Sequence, residues 1–238
     1  MEFDYIIVGA GSAGCVLANR LSANPDTHVC LLEAGPKDTS PLIHTPLGVA
    51  AILPTRHVNW AFDTVAQPGL GGRVGYQPRG KVLGGSSSIN GMIYIRGHHS
   101  DFDDWQALGN PGWSFADVLP YFRKSEMHHS DSSEFHGGEG ELYVGRAHRH
   151  AATEAFVESA IQAGHPYTSD FNGAQQEGVG YYDVTIRDGR RWSTATAFLK
   201  PIRHRENLTV LTGAHVERVL LQGKQAVGVQ ALIKGRRL

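Results

Sequence analysis

The pattern of apolar and polar residues near the N-terminus predicts a strand, a helix and a second strand. Residues 5–8 are a β-branched and aromatic run, and residues 15–21 carry apolar side chains at helical spacing. Residues 28–32 form a second apolar run that ends at Glu33, and Pro25 interrupts the helical pattern before it. This βαβ order predicts an α/β fold.

The following segment, residues 35–79, is irregular and rich in proline, with a turn cluster at residues 69–72. Loops of this length inside a domain are uncommon unless they cover a site. We therefore interpret residues 35–79 as a cofactor lid or an interface segment.

The middle of the chain predicts two helices before a polar loop at residues 128–136. A short helix is expected over residues 101–108. A second begins at Ser114, where Asp117 completes an approximate capping box. Pro120 is expected to kink or split this second helix.

The remaining elements are predicted to be one helix and several strands. The helix is amphipathic and covers residues 151–163. Alternating patterns predict strands at residues 141–144, 180–186, 208–211, 216–221 and 226–232. We expect the last three strands to form a consecutive antiparallel meander, and we interpret residues 187–191 as a solvated hairpin turn.

Composition excludes several classes of function. The formal net charge of −1 gives no field that would recruit nucleic acid or anionic lipid. The longest apolar run, residues 47–53, is too short to span a bilayer, and the N-terminus shows no basic leader, so we expect a cytoplasmic location. Cys15 and Cys30 are interpreted as buried apolar residues rather than a disulfide.

The thirteen histidines include two adjacent pairs, His98 with His99 and His128 with His129. Adjacent side chains on a strand or loop are expected to point in different directions, and no zinc-like ligand spacing accompanies the pairs. We expect no metal site. A serine hydrolase is not supported either, since the chain has no Gly-x-Ser-x-Gly motif.

The sequence GAGSAG after the first strand matches a dinucleotide fingerprint. Gly9 permits the tight turn, Gly11 lets the backbone approach a pyrophosphate, and Gly14 allows the helix to pack closely on the strand. Glu33, at the end of the second strand, can accept hydrogen bonds from ribose hydroxyls. These features together predict a dinucleotide site on a helix N-terminus.

A second glycine-rich stretch, residues 80–97, contains Gly84 and Gly85 followed by Ser86, Ser87 and Ser88. Its backbone amides and hydroxyls could wrap a phosphate or a flavin edge, and its composition also fits a flexible surface loop. Two such loops suggest a long cofactor held at two places, which favours FAD over NAD.

Residues 80–103, GKVLGGSSSINGMIYIRGHHSDFD, resemble the first signature of the glucose–methanol–choline (GMC) oxidoreductases, which oxidise alcohols using FAD. The resemblance runs over essentially the whole chain and is nearest to choline-dehydrogenase-like members. It is carried also by DYIIVGAGSAG, LLEAG, DDWQALGNPGWSFADVLPYFRKSE, FNGAQQEGVGYYDVTIRDGRRWSTATAFL and NLTVLTGAHVERVLL.

The resemblance implies further cofactor contacts. Ser86 and Ser87 would lie near the pyrophosphate, and Val216 would contact the adenine end through its backbone. The FAD would also be lined by Val82, Asn90, Gly91, Met92 and Ile93, the last four beside the isoalloxazine ring. Without the resemblance, Met92, Ile93 and Val216 would be interpreted as ordinary core residues.

One position departs from some members of the family, in which a histidine beside the asparagine binds the flavin covalently. This chain has Ile89 there, and isoleucine cannot form that bond. We therefore predict non-covalent, dissociable FAD.

The resemblance implies hydride transfer from a small-molecule alcohol to flavin N5, giving an aldehyde or ketone, and it leaves the electron acceptor open. It implies a discontinuous FAD-binding Rossmann-like domain with part of an inserted substrate domain. The expected divisions are residues 1–135 for the FAD-binding domain with lid and clamp, 136–205 for the partial substrate domain, and 206–238 for the return to the FAD-binding domain.

The family's catalytic histidine and its partner lie in its C-terminal part, without a counterpart here, so we expect an N-terminal fragment that lacks turnover. Two other interpretations remain open. The chain could be a stand-alone FAD-binding module or pseudoenzyme, or an NAD-dependent Rossmann enzyme. A visible flavin chromophore would argue against the last of these.

Overall fold

The computed structural model of the chain describes residues 2–130, 132–233 and 235–237. The first half contains β1 (Tyr5–Val8), α1 (Ser12–Leu21), β2 (Val29–Glu33), α2 (Pro41–His44), α3 (Val49–Ile52), β3 (Phe62–Asp63), β4 (Tyr76–Gln77), β5 (Ile93–Tyr94), α4 (His99–Ala107) and α5 (Phe115–Ser125). The second half contains β6 (Glu126–His128), β7 (Leu142–Arg146), α6 (Ala151–Gln162), β8 (Asp183–Val184), β9 (Ile186–Arg187), β10 (Arg190–Arg191), β11 (Leu208–Thr212), β12 (Ala214–Gln222), β13 (Gln225–Ile233) and β14 (Arg236–Arg237).

These elements form two units. Unit 1 comprises Met1–Gly91 and Gly189–Leu238, and unit 2 comprises Met92–Asp188. Unit 1 is discontinuous in sequence, and unit 2 is inserted into it. The expected division at residues 135 and 205 into FAD-binding and substrate domains stays a prediction.

The central sheet of unit 1 is parallel and has the order β1, β2, β11. All five residues of β2 are buried, because β1 and β11 pair with it on both sides and α1 packs nearby. Cys15 and Cys30 are buried free thiols, as expected, and burial raises the pKa of Cys15 to about 11. The predicted βαβ unit and α/β fold are confirmed.

The predicted antiparallel meander is wrong for its first strand. β11 pairs in parallel with β2, with Val210 opposite Leu31, so that of the three predicted strands β12 and β13 alone pair antiparallel with each other. Gly213 separates β11 from β12 with a left-handed φ of 66°, and its amide donates to Gly35 O at 2.9 Å. This turn directs the chain out of the parallel sheet, which the alternation of apolar residues alone could not reveal.

Residues 35–79 form short helices, 3₁₀ turns and the two-residue strands β3 and β4. Most side chains of this segment are exposed, but a few apolar ones are buried. They contribute to a buried apolar cluster made of Ile43, Ile52, Val58, Val82 and Ile89.

Unit 2 contains a sheet with the order β5, β8, β7, β6, in which β6 and β7 are parallel. The predicted capping box at Ser114 is confirmed, since its hydroxyl accepts from the Asp117 amide and Asp117 accepts from the Ser114 amide. Pro120 does not split the helix, because α5 continues through it. The predicted strand at residues 180–186 is shorter than expected and consists of β8 and the start of β9.

None of the helices in the described ranges has the length and apolar character that crossing a bilayer requires.

Candidate dinucleotide-binding site

The glycines of the fingerprint occupy positions that require glycine for different physical reasons. Gly9 follows β1 with a φ of 90°, in the left-handed region, and its amide donates to Leu32 O at 2.7 Å. A Cβ at Gly14 would lie 1.9 Å from Gly9 O, so α1 can approach the turn only without a side chain there. A Cβ at Gly11 would meet no atom within 4 Å. Glycine is therefore not needed there for packing, and its role is to leave the space next to the turn open.

Glu33 ends β2 with its carboxylate held by backbone amides. Ala10 N donates to Oε2 at 2.9 Å and Gly35 N donates to Oε1 at 2.8 Å. Burial raises the pKa of Glu33, and the two amide bonds oppose that effect. Each carboxylate oxygen can accept a second hydrogen bond, so the group fixes the turn and can still accept from a ribose hydroxyl.

The second glycine-rich loop contacts the fingerprint directly. Gly84 N donates to Ala10 O at 2.7 Å, and a Cβ at Gly85 would lie 2.7 Å from Gly11 Cα. Gly84 and Gly85 have φ values of 87° and 54°. The two loops approach each other this closely only because Gly85 has no side chain.

A cleft of about 490 Å³ lies over these loops within unit 1. Five of the residues predicted from the sequence line it: Gly9, Gly11, Glu33, Ser86 and Val216. Backbone and small side chains dominate its lining, which suits close approach of a phosphate. Gly14 lies beneath the turn and supports the cleft through packing rather than lining it.

Two ring side chains that sequence reasoning missed also line the cleft, Trp60 and His215. Their ring centroids are 5.7 Å apart, and Lys81 Nζ lies 4.2 Å from the Trp60 centroid. Trp60 lies in the irregular segment, where no periodicity identifies it. His215 could have been found, because it precedes the predicted contact Val216.

Two predicted cofactor contacts point elsewhere in unit 1. Val82 is fully buried in the apolar cluster with Ile89. Ser87 Oγ donates to Gly84 O at 2.6 Å and lies 2.9 Å from Thr194 Oγ1. Neither residue lines the cleft, and both support the loop that does.

The four predicted ring contacts are consecutive in the chain and are divided between the two units. Asn90 and Gly91 belong to unit 1, and both are exposed. Met92 and Ile93 belong to unit 2. Met92 is buried with a left-handed φ of 63°, and its carbonyl accepts from Thr185 N at 2.8 Å. Ile93 pairs with Val184 in the sheet and is half exposed.

The interpretation of residues 187–191 as solvated is wrong at Arg191, which is 1% exposed. Arg191 Nε donates to Ile43 O at 2.8 Å, and Nη1 donates to Ser87 O at 3.2 Å and to Asn90 Oδ1 at 2.7 Å. Burial lowers the pKa of Arg191 to about 10, so the side chain remains a cation at neutral pH. The charged residues at positions 187–191 give no indication in the sequence that one of the arginines is buried.

Unit 2 contains a buried ionic network that the sequence did not reveal. Arg96 Nη2 donates to Glu126 Oε2 at 2.9 Å. His136 lies between two carboxylates, with Nδ1 3.1 Å from Glu126 Oε2 and Nε2 2.9 Å from Asp170 Oδ2. Burial alone would lower the pKa of His136, but the hydrogen bonds to Asp170 and Glu126 outweigh it and raise the pKa to about 9.

His128 and His129 do not point apart, contrary to the expectation. The rings of His128 and His129 lie 4.4 Å apart, and both approach Asp183, at 3.1 Å and 3.5 Å. Within the described ranges, two groups of potential metal ligands result: Glu126, His128 and His136, and His128, His129 and Asp183. An arginine already donates into each group, Arg96 to Glu126 and Arg146 to His129. In the first group the Glu126 carboxylate is already paired with Arg96 and His136.

Comparisons with known proteins agree on one family. An alcohol dehydrogenase (acceptor) of Pseudomonas putida is 50% identical over 234 residues, which are 98% of this chain and 42% of that protein. A mitochondrial choline dehydrogenase of Mus musculus is 47% identical over 99% of this chain and 41% of its own length. The chain thus spans less than half the length of these relatives.

Solved structures give the same result. Pyridoxine 4-oxidase from Mesorbium loti superposes with a TM-score of 0.95 at 37% identity, over 100% of this chain and 47% of that one. An FAD-dependent oxidoreductase from Chaetomium thermophilum superposes with a TM-score of 0.89 at 30% identity, over 98% and 42%. The sequence profile described as GMC oxidoreductase matches residues 3–237. The chain therefore belongs to the GMC oxidoreductase family.

Proposed function

We propose that unit 1 binds FAD and that the protein containing this chain oxidises the CH–OH group of a small-molecule alcohol. The observation that carries the proposal is the single cleft in which Gly9, Gly11, Glu33, Ser86 and Val216 meet. These residues come from four separated segments of the chain and line one opening.

The donor set fits the chemistry of FAD. The N-terminus of α1, directly after Gly11, has no side-chain cap and offers backbone amides to the pyrophosphate, and Ser86 lines the same cleft with its hydroxyl. In our proposal Glu33 accepts a hydrogen bond from a ribose hydroxyl, and the backbone of Val216 contacts the adenine end of FAD. The contact between Gly85 and Gly11 leaves no room for a Cβ, so the loops are shaped for close approach. When bound, FAD supplies a hydride acceptor at flavin N5.

The substrate class is supported by the relatives, which are named alcohol dehydrogenase and choline dehydrogenase. In our proposal unit 2 is part of the substrate domain, and Asn90, Gly91, Met92 and Ile93 face the flavin ring. The left-handed backbone of Met92 supports this role, since such strain is concentrated at functional sites. The side chains that exchange protons with the alcohol are assigned to sequence outside this chain.

Non-covalent binding follows from Ile89. Its side chain is 2% exposed and belongs to the apolar cluster, so it offers no nucleophile to the flavin. We propose a cytoplasmic location, because both cysteines are buried free thiols, as is usual in a reducing compartment.

The test is a visible spectrum of the protein expressed from the complete reading frame that contains this chain. The expected result is a flavin spectrum that bleaches when an alcohol substrate is added without oxygen. A flavin spectrum that no alcohol bleaches would support a binding module or pseudoenzyme. A colourless protein that binds NAD would overturn the proposal.

A further inference from the structure

Arg191 is a buried cation in unit 1. It is 1% exposed, and among the described residues no Asp or Glu forms an ion pair with it. Its Nη2 is buried and has no hydrogen-bond partner within the described ranges. Burying a guanidinium in this way is costly, and an apolar side chain would serve packing better. Its presence therefore calls for a reason other than stability.

The acceptors of Arg191 indicate that reason. Nε bonds to Ile43 O, in the irregular segment between β2 and the glycine-serine loop. Nη1 bonds to Ser87 O and to Asn90 Oδ1, inside that loop and just after it. One side chain thus ties together three places around the proposed cofactor site, all within unit 1.

The bond to Asn90 also sets the direction of the Asn90 carboxamide. Its oxygen accepts from a cation at 2.7 Å, so its NH₂ group must face away from Arg191. Asn90 is exposed, and a neutral hydrogen bond at the surface would not hold one amide orientation well. A charge-assisted bond from a buried donor does.

We propose that Arg191 is a positioning residue that holds Asn90 in the orientation required at the flavin ring. This inference rests on the proposed function, because it concerns the same site. Arg191 acts through Asn90 and through the loop carbonyls. It does not touch the substrate, and its neighbour Arg190, which is exposed, has no part in the role.

The experiment uses the complete protein and four variants: Asn90→Ala, Arg191→Lys, the double variant, and Arg190→Lys as the matched control. Lysine keeps the charge but cannot reproduce the planar donor geometry. FAD dissociation constants are measured by reconstitution of the apoprotein, and the flavin absorbance bands are recorded for each variant.

We expect Asn90→Ala and Arg191→Lys each to weaken FAD binding about tenfold and to shift the flavin bands in the same way. The double variant should lose about tenfold as well, not about a hundredfold, because the two residues act as one unit. Arg190→Lys should behave as the parent protein.

Additive losses, or flavin bands that move in Asn90→Ala and stay unchanged in Arg191→Lys, would overturn the inference. If Arg191→Lys does not fold, Asn90→Ala decides alone: unchanged FAD affinity and unchanged bands overturn the inference, and the expected loss in a folded protein supports it. A parent protein that binds no FAD would instead refute the proposed function.

Discussion

The cleft of unit 1 and the ionic network of unit 2 are both polar, and they are built in opposite ways. The cleft is formed mainly by backbone, in turns where Gly9, Gly14 and Gly85 leave no room for a side chain or adopt left-handed φ values. The network is formed by side chains, with Arg96, Glu126, His136 and Asp170 buried or partly buried around one another.

The polar groups of the two regions therefore serve different purposes. The amides at the N-terminus of α1 remain available to a ligand, because no side chain caps them. In the network each carboxylate is already paired with a cationic side chain of the protein, so the charges of the network stabilise unit 2. We therefore expect substitutions in the network to change stability, and substitutions in the cleft to change cofactor binding.

The largest effect is expected at Glu126, which is fully buried between Arg96 and His136. Glu126→Gln removes the negative charge and leaves buried cations poorly compensated, which should cost about 3–5 kcal/mol of the free energy of unfolding. Chemical denaturation measures the loss, with exposed Glu134→Gln as the control. A loss below about 1 kcal/mol would show that the network does not stabilise unit 2.

The next effect is a dependence of stability on pH through His136. Its pKa in the folded protein is about 9, above its ordinary value of 6.5, so folding favours the protonated form. The contribution, about 3 kcal/mol, is therefore complete below pH 6.5 and is lost as the pH rises through 9. Unfolding measured from pH 6 to 10 should show the decline, and His136→Gln should flatten it. Equal slopes in both proteins would contradict the assignment.

A matched pair of glycine variants sharpens the contrast within the cleft. Gly14→Ala places a Cβ 1.9 Å from Gly9 O, which should cost about 2–3 kcal/mol and prevent FAD binding. Gly11→Ala meets no protein atom within 4 Å, so the fold should remain and only FAD binding should weaken. Thermal unfolding and flavin content separate the two. Equal destabilisation by both variants would show that Gly14 and Gly11 do not have separate roles in packing and in binding.

The smallest effect is expected at the capping box of α5. Ser114→Ala removes the hydroxyl that accepts from Asp117 N, which should cost about 1 kcal/mol and leave FAD binding unchanged. Exposed Ser132→Ala provides the control. A change in flavin content on Ser114→Ala would link unit 2 to the cofactor in a way that the capping box does not explain.

The same difference explains what the sequence could predict. The βαβ unit, the glycine turn and the capping box depend on residues that are close in the chain, and all three are confirmed. The placement of β11 depends on pairing with β2 across most of the chain, and local alternation carries no such information.

Long-range side-chain contacts were missed for a related reason. Arg191 bonds to Ile43, 148 positions away in the chain, and Arg96 reaches Glu126 across 30. Charge patterns along a sequence predict exposure by default, because most charged residues are exposed. A buried arginine is identified only when the fold has brought its acceptors together.

The most direct test of the account is the visible spectrum of the complete protein beside that of its Gly11→Ala variant, before and after denaturation. We predict a yellow parent protein that releases all of its flavin into the supernatant, and a variant that folds equally well and retains much less flavin. A colourless parent protein, or flavin that stays attached to the denatured chain, would contradict the account.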